Sequence, residues 1–185
     1  DKDHGDKGWT MRPFHDVFYN KDYRNPAETT YERPILSVDD ERRVVVLIGT
    51  GDTDNFEKPG ADNRIVSLTE VPRTPAAPAV PDDWLAMINW ELVNEGTSGN
   101  ALVPTELVTG AMALFEGQLF AATFVSNTGS GNACEYGRGR QWSLSYNERD
   151  TSDKNPPGEN GVAETFGPLR IAVTSAVAED SDDEL

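Results

Sequence analysis

Several things are scarce in this 185-residue chain, and each scarcity closes off a class of chemistry. There is one cysteine, Cys134, so no disulfide can form within the chain. No histidine shares its loop, so nucleophilic catalysis by the thiol has no visible base, and it reads as a packed or spare thiol. The two histidines, His4 and His15, lie 11 residues apart without a neighbouring Cys or His, whereas a zinc site gathers about three or four ligands. Both read as surface residues. Basic charge is also short: 16 Lys and Arg stand against 32 Asp and Glu, a net charge of −16. Such a field repels phosphate backbones, so no nucleic-acid partner is expected, while cations are drawn in. No apolar run approaches the roughly 20 residues of a membrane helix, so no membrane span is expected either. The chain opens Asp1-Lys2-Asp3-His4-Gly5-Asp6-Lys7, charged from its first residue and unlike a signal peptide. That fits a cytosolic protein, or a mature or internal fragment of an exported one.

What the chain does have is turn chemistry. Twelve Pro and 16 Gly punctuate short apolar runs, the pattern of an all-β protein. The runs also repeat. Pro34-Ile35-Leu36-Ser37-Val38, an acidic turn at Asp39-Asp40-Glu41 and the strand Arg42-Arg43-Val44-Val45-Val46-Leu47-Ile48 form one hairpin. At an offset of 76, Gly110-Ala111-Met112-Ala113-Leu114 leads through Glu116-Gly117 into Gln118-Leu119-Phe120-Ala121-Ala122-Thr123-Phe124. A third strand, Arg64-Ile65-Val66-Ser67-Leu68, precedes Arg140-Gln141-Trp142-Ser143-Leu144 by the same 76 residues, so all three elements share one offset. Val44 to Ile48 is apolar on both faces, as in a sheet covered on both sides. A fourth strand fits Trp84-Leu85-Ala86-Met87-Ile88-Asn89-Trp90, with Trp84, Ala86, Ile88 and Trp90 expected on one face.

Four antiparallel strands per repeat describe a propeller blade, and the long period places insertions at 52–63, 71–83, 126–139 and 147–167. The expected fold is an all-β partial β-propeller of about two four-stranded blades with remnant strands. A preceding blade ends within 1–32, where Trp9 to Phe14 reads as an outer strand. Blades occupy 33–92 and 93–147. A loop and a closing or next-blade strand, Pro168 to Val173, fill 148–177, and 178–185 is an acidic disordered tail. Two blades cannot close a ring that needs at least about four. A two-sheet sandwich is the competing architecture, disfavoured by the constant period.

Arg43-Val44-Val45-Val46-Leu47-Ile48-Gly49-Thr50-Gly51-Asp52 resembles the strand-plus-Gly-Thr-Gly segment of PilY-type proteins, the tip-associated adhesins of type IV pili. Phe115 to Phe124 resembles their recurrent hairpin, Asn132 to Arg140 their Cys- and Gly-rich loop, and Gln141 to Tyr146 the strand that follows. The resemblance spans roughly Trp9 to Val173 and corresponds to the last blades of the family's C-terminal propeller. It implies an exported protein of the periplasm, outer surface or pilus tip. Its roles there are non-enzymatic: pilus assembly with minor pilins, attachment to a host or abiotic surface, and twitching motility. Its partners include the remaining propeller blades of the same protein. The integrin-type Arg-Gly-Asp of some members is missing, and Arg138-Gly139-Arg140 does not replace it. The alternative function is a propeller enzyme, quinoprotein-like or glycan-acting, with its active residues in missing blades.

The family's propeller can bind calcium, and the residues offer one candidate of their own. Asp52 and Asp54 stand at alternate positions, with Asn55 next to them, in a loop whose far end carries Asp62 and Asn63, and oxygen ligands so spaced can wrap calcium. The loop departs from the EF-hand pattern: Phe56 follows Asn55 and no bidentate Glu closes it. An Asx-rich turn capping its own backbone is the competing reading. Asp1, Asp3 and Asp6 read as a charged linker. Ser130 does not complete a nucleophile elbow, and Gly49, Gly51 and Gly60 lack the Lys-Ser/Thr of a phosphate loop. Trp84, Trp90 and Trp142 are expected to pack between sheets. Tyr19, Tyr23 and Tyr31 form either an exposed contact surface or an inter-blade connection.

Overall fold

Strand formation follows the apolar and β-branched runs, and turns follow the residues that tolerate them. A computed structural model describes residues 13–18, 29–51, 63–71, 85–93, 101–103, 105–126 and 137–148, together with the backbone of 163–166. These residues form nine strands and no helix: β1 (Ile35–Val38), β2 (Val44–Gly49), β3 (Arg64–Glu70), β4 (Ala86–Val93), β5 (Glu106–Val108), β6 (Ala113–Phe115), β7 (Gln118–Val125), β8 (Arg138–Ser145) and β9 (Ala163–Phe166). Every strand pairing is antiparallel. The first sheet is the meander β1-β2-β3-β4. The second runs β5-β7-β8-β9, with β6 sharing the β5 side of β7.

Both expected hairpin turns are present. Glu116 and Gly117 both have positive φ, 48° and 76°, as a two-residue type I′ loop requires. The β1–β2 loop instead closes on the Asp39 side chain. Its Oδ1 accepts from Glu41 N at 3.0 Å and Arg43 N at 2.8 Å, and Arg42 takes the left-handed conformation at φ 63°.

The principal core lies between the sheets. Val45, Leu47, Ile65, Trp90 and Leu92 of the first meet Leu119, Ala121, Trp142 and Leu144 of the second. Trp90 and Trp142 are fully buried, as expected for inter-sheet packing. Side chains of the first sheet also tie to the last residues of β8 and just beyond. Ser67 Oγ donates to Tyr146 O at 2.5 Å, Trp90 Nε1 to Ser145 O at 2.8 Å, and the Tyr146 hydroxyl returns a bond to Val38 O at 2.9 Å. A smaller core lies on the opposite face of the first sheet, where Phe14 and Val17 pack with Val66, Leu68 and Ala86.

Two expectations about faces are corrected. Ala86 and Ile88 pack in the smaller core, but Trp90 enters the principal one, so they do not share a face. The cause is a β-bulge: Ser67 pairs with Trp90 and Leu68 with Ile88, leaving Asn89 as the extra residue. Asn89 is buried there, its Nδ2 donating to Ser67 Oγ at 3.0 Å and Thr69 Oγ1 at 2.7 Å. Trp84 lies outside the described residues.

The single offset of 76 is the second correction. It holds for β3 and β8, where Arg64 corresponds to Arg140. It fails for the strand before. Thr50 pairs opposite Arg64, 14 residues on, and Thr123 opposite Arg140, 17 residues on. The true counterpart of Thr50 is therefore Thr123, 73 residues later, and both hydroxyls approach the partner arginine's carbonyl, at 3.4 and 3.5 Å. The intervening connection is three residues longer in the second repeat, so an offset of 76 applied to β2 and β7 matches positions that bond opposite neighbours and therefore lie on opposite faces. Because Val44 to Ile48 is apolar on both faces, a shifted alignment fits the sequence equally well.

The hydrogen bonding of β2 and β7 to their neighbours shows how the sheets stack. In an antiparallel meander of L-residues, the face on which a side chain emerges is fixed by which neighbour its own N–H and C=O bond. In the first sheet Thr50 bonds β3, and by alternation so do Ile48 and Val46; these face away from the second sheet. In the second sheet Gly117 bonds the β8 chain through Tyr146 N, and by alternation so do Leu119 and Ala121; these face the first sheet. The strand order is the same and the facing opposite. The sheets stack face to back, not face to face about a two-fold axis.

Candidate functional site

The chemistry of the described residues concentrates where β5 enters the second sheet. Glu106, the first residue of β5, has a fully buried side chain, and Arg140 of β8 keeps only 8% of its side chain exposed. A buried carboxylate is costly unless every oxygen is bonded, and here each is. Oε2 takes Arg140 Nη1 at 2.6 Å and Val103 N at 2.9 Å. Oε1 accepts the Thr123 hydroxyl and lies 3.3 Å from Trp142 Nε1, which also donates to Thr123 Oγ1 at 3.0 Å. The Arg140 guanidinium stacks 4.4 Å above the Trp142 ring and reaches Ala101 O at 3.3 Å. Strands β5, β7 and β8 are thus joined through one acid.

The approach to Glu106 is strained. Thr105, β-branched, sits at φ 69°, a conformation such residues rarely adopt. The loop 103–106 closes through Glu106 N on Val103 O at 2.9 Å and through the carboxylate on Val103 N, so the surrounding bonds hold the unfavourable backbone in place.

The Gly49-Thr50-Gly51 segment meets β5 from the other sheet. A Cβ on Gly49 would stand 2.9 Å from Val108 Cγ2, and one on Gly51 would stand 2.8 Å from Leu107 Cβ and 2.9 Å from Val108 N. Val108 N donates to Thr50 O at 3.2 Å, and Asn63 Nδ2 donates to Glu106 O at 3.0 Å. The glycines allow backbone contact between sheets. Asn63 Oδ1 and Arg64 Nε are the buried side-chain atoms without a hydrogen-bond partner among the described residues.

The candidate calcium ligands Asp52, Asp54, Asn55 and Asp62 lie outside the described residues, as do Cys134, Ser130, His4, Tyr19 and Tyr23. Gly51, close against Leu107 and Val108 with its N–H donating to Thr29 O at 2.9 Å, and Asn63, bonded to Glu106 O, flank that loop. His15 Nδ1 lies 3.3 Å from Ala86 O, and Tyr31 is half exposed at 51%. Among the described residues, no three His, Cys, Asp or Glu side chains converge as metal ligands do. Glu106 and Thr123 were not visible as site residues in the sequence. The signal available was a single acid, Glu106, in an otherwise uncharged run from Ala101 to Leu114.

Elsewhere, burial acts on Asp39 to raise its pKa, but the Arg43 backbone N–H and guanidinium outweigh it and hold the carboxyl below its ordinary 3.8. Burial pushes the Tyr146 hydroxyl above its ordinary 10.0, helped by the negative charges of Asp40 and Asp39.

The Glu106 cluster is saturated: its carboxylate oxygens, the Thr123 hydroxyl and the Trp142 N–H all spend themselves on one another. Such a cluster can lock strands and specify their order, and it leaves no carboxylate lone pair aimed at a reacting group. No protein-family model, curated protein or solved structure matches the chain.

Proposed function

We propose that this chain is an arc of a β-propeller in a PilY-type adhesin at the tip of type IV pili, a non-enzymatic segment supporting pilus assembly, surface attachment and twitching motility. The observation that supports this most is the face-to-back stacking of two meanders with the same strand order. Successive blades around an axis repeat in that sense, because each blade is the rotated copy of the last. The Gly-Thr-Gly segment adds to it, since Gly49 and Gly51 are needed where the second sheet crosses the first. On this reading the remaining blades complete the ring, minor pilins and the bound surface engage its loops, and the location is extracellular or periplasmic.

The test is interruption of the gene in a piliated host, with sheared surface pili and the twitching zone as readouts. Loss of both, restored by the intact gene, is the expected result. Normal piliation and motility in the interrupted strain would remove the reading. Calcium held by Asp52, Asp54, Asn55 and Asp62 belongs to the same proposal. Titration calorimetry of wild type against the Asp52→Ala/Asp54→Ala pair tests it, and identical heats remove the metal.

A further inference from the structure

Face-to-back stacking has two ends. The inner face of the second sheet is the counterpart of the outer face of the first, so corresponding positions can be compared with and without a sheet on top. Leu114 pairs with Leu119 across β6 and β7, four residues before Thr123; Leu36 pairs with Val46 across β1 and β2, four residues before Thr50. Leu119 is fully buried and Leu114 packs against the principal core, because the first sheet covers them. Leu36 is 70% exposed, and beside it Val38 and Val44, a directly opposed pair, are 58% and 38% exposed. Phe14 and Val17 pack with Val46 and Ile48 of β2 as well as with β3 and β4, and leave Leu36, Val38 and Val44 exposed.

The opposite end is open in part: Ala122 on this face is fully buried, but apolar surface is exposed at the β6–β7 hairpin. Phe115 pairs with Gln118, whose side chain lies on the face of the second sheet turned away from the first, and Phe115 is 53% exposed. Half-buried Phe120, paired with Ala113, lies on the same face. Apart from Tyr31, all the exposed large apolar side chains among the described residues sit on these two outer faces. Scattered singly they would mean little; gathered on the two terminal faces of a stack they mark interaction surfaces.

We propose that the outer face of the first sheet, at Leu36, Val38 and Val44, receives the outer face of the second sheet, at Phe115 and Phe120, of another copy of this chain. The occupant follows from continuity with the interface already present: a face of the first kind is covered, within this chain, by a face of the second kind. Such a contact is heterologous, head to tail, and so continues until rotation closes it into a ring. Two copies would supply four sheets, the smallest number from which a propeller closes. The inference rests on the stacking that also supports the propeller reading, with a second copy in place of further blades of the same protein, and it makes no use of pili.

Sedimentation velocity and light scattering of the full chain, from low micromolar to sub-millimolar concentration, test the contact. The expected result is reversible, concentration-dependent association. It should strengthen between about 20 mM and about 500 mM salt, as repulsion between chains of net charge −16 is screened. The pair Leu36→Asp/Val38→Asp should weaken it about tenfold or more, and so should Phe115→Asp, with thermal melts unchanged because the sites are exposed. Leu36→Ser and Phe115→Ser serve where the acidic variants disturb folding. The decisive arm mixes the two classes. A head-to-tail contact predicts that each variant alone is monomeric, while the mixture forms one dimer through its remaining good face on each chain. A chain that is monomeric throughout, an association unaffected by these substitutions, or no recovery on mixing overturns the proposal, and none of these outcomes bears on piliation.

Discussion

Arg64 and Arg140 occupy the same place in the third strand of their sheets, each opposite a threonine, and each guanidinium stacks on an aromatic ring. Their surroundings differ. Arg140 meets a fully buried carboxylate at 2.6 Å, under the cover of the first sheet. Arg64 donates to Val17 O at 2.6 Å and stacks 4.5 Å from Phe18, while its carboxylate partner Glu91 stands 3.6 Å away and is partly exposed. The repeat supplies the arginine; the covering layer determines whether a tightly bonded, desolvated ion pair forms around it. A covered face can hold a saturated polar cluster. A half-covered face keeps the arginine nearly as buried, with 11% of its side chain exposed, but leaves its carboxylate partner partly in water.

The largest way to break this comparison is Glu106→Ala. It leaves Arg140 buried with its principal counter-charge gone, a loss of about 3–5 kcal/mol by urea unfolding. The same truncation of Glu91 should cost under about 1 kcal/mol, as partly exposed pairs do. Equal losses at the two sites would mean the sheets are equally covered. Pairing Glu106→Leu with Arg140→Met should recover most of the stability, since removing both buried charges removes the desolvation cost with them.

Next in size is Gly51→Ala, whose Cβ would meet the Leu107 and Val108 atoms at under 3 Å; a loss of about 1–3 kcal/mol is expected by thermal or urea unfolding. Thr50→Val and Thr123→Val sharpen the repeat itself. Each removes a hydroxyl from the same position, at a cost of about 1 kcal/mol for Thr50 and more for Thr123, whose hydroxyl also serves Glu106 and Trp142.

The smallest expected effect is the acid limb at Asp39. Its folded pKa is below 3.8, so its contribution is fully present above the unfolded value and is lost as pH falls through the folded one. Wild type and Asp39→Asn should therefore differ in stability near neutral pH and converge below about pH 4. A difference that persists unchanged into strong acid would show that the carboxylate charge is not involved.

Much of the fold was legible before any coordinates. β-branched runs and their turn residues located β1, β2, β3, β7 and β8, and the hairpins at Asp39 and Glu116 followed from turn chemistry alone. β4 was placed but its faces were not, because Asn89 bulges out of an otherwise regular alternation and nothing local announces it. β5 was not foreseen: three residues, Glu106 to Val108, carry too little periodicity to be seen, and a glutamate at their head argues against burial. β9, at Ala163–Phe166, fell within 147–167, read as a loop, and the strand expected at 168–173 lies outside the described residues. The candidate site divides in the same way. Calcium-type spacing could be read from side-chain order, whereas the Glu106 cluster joins residues 17 and 34 positions apart and exists only once strands pair.

By itself, the sequence determined that the protein is built of antiparallel strands, that one design occurs in two copies, and that glycines stand where β2 ends. Those are local matters of side-chain alternation, branching and turn conformation, which need no long-range partner. Tertiary structure decided which face of each copy looks inward. The pairing register and the packing of β2 and β7 set which side chains look inward, and an apolar run such as Val44 to Ile48 gives no preference between its two sides. It also decided that one arginine of the pair would meet a fully buried carboxylate and the other a partly exposed one, since cover comes from the neighbouring sheet and not from the strand on which the arginine lies.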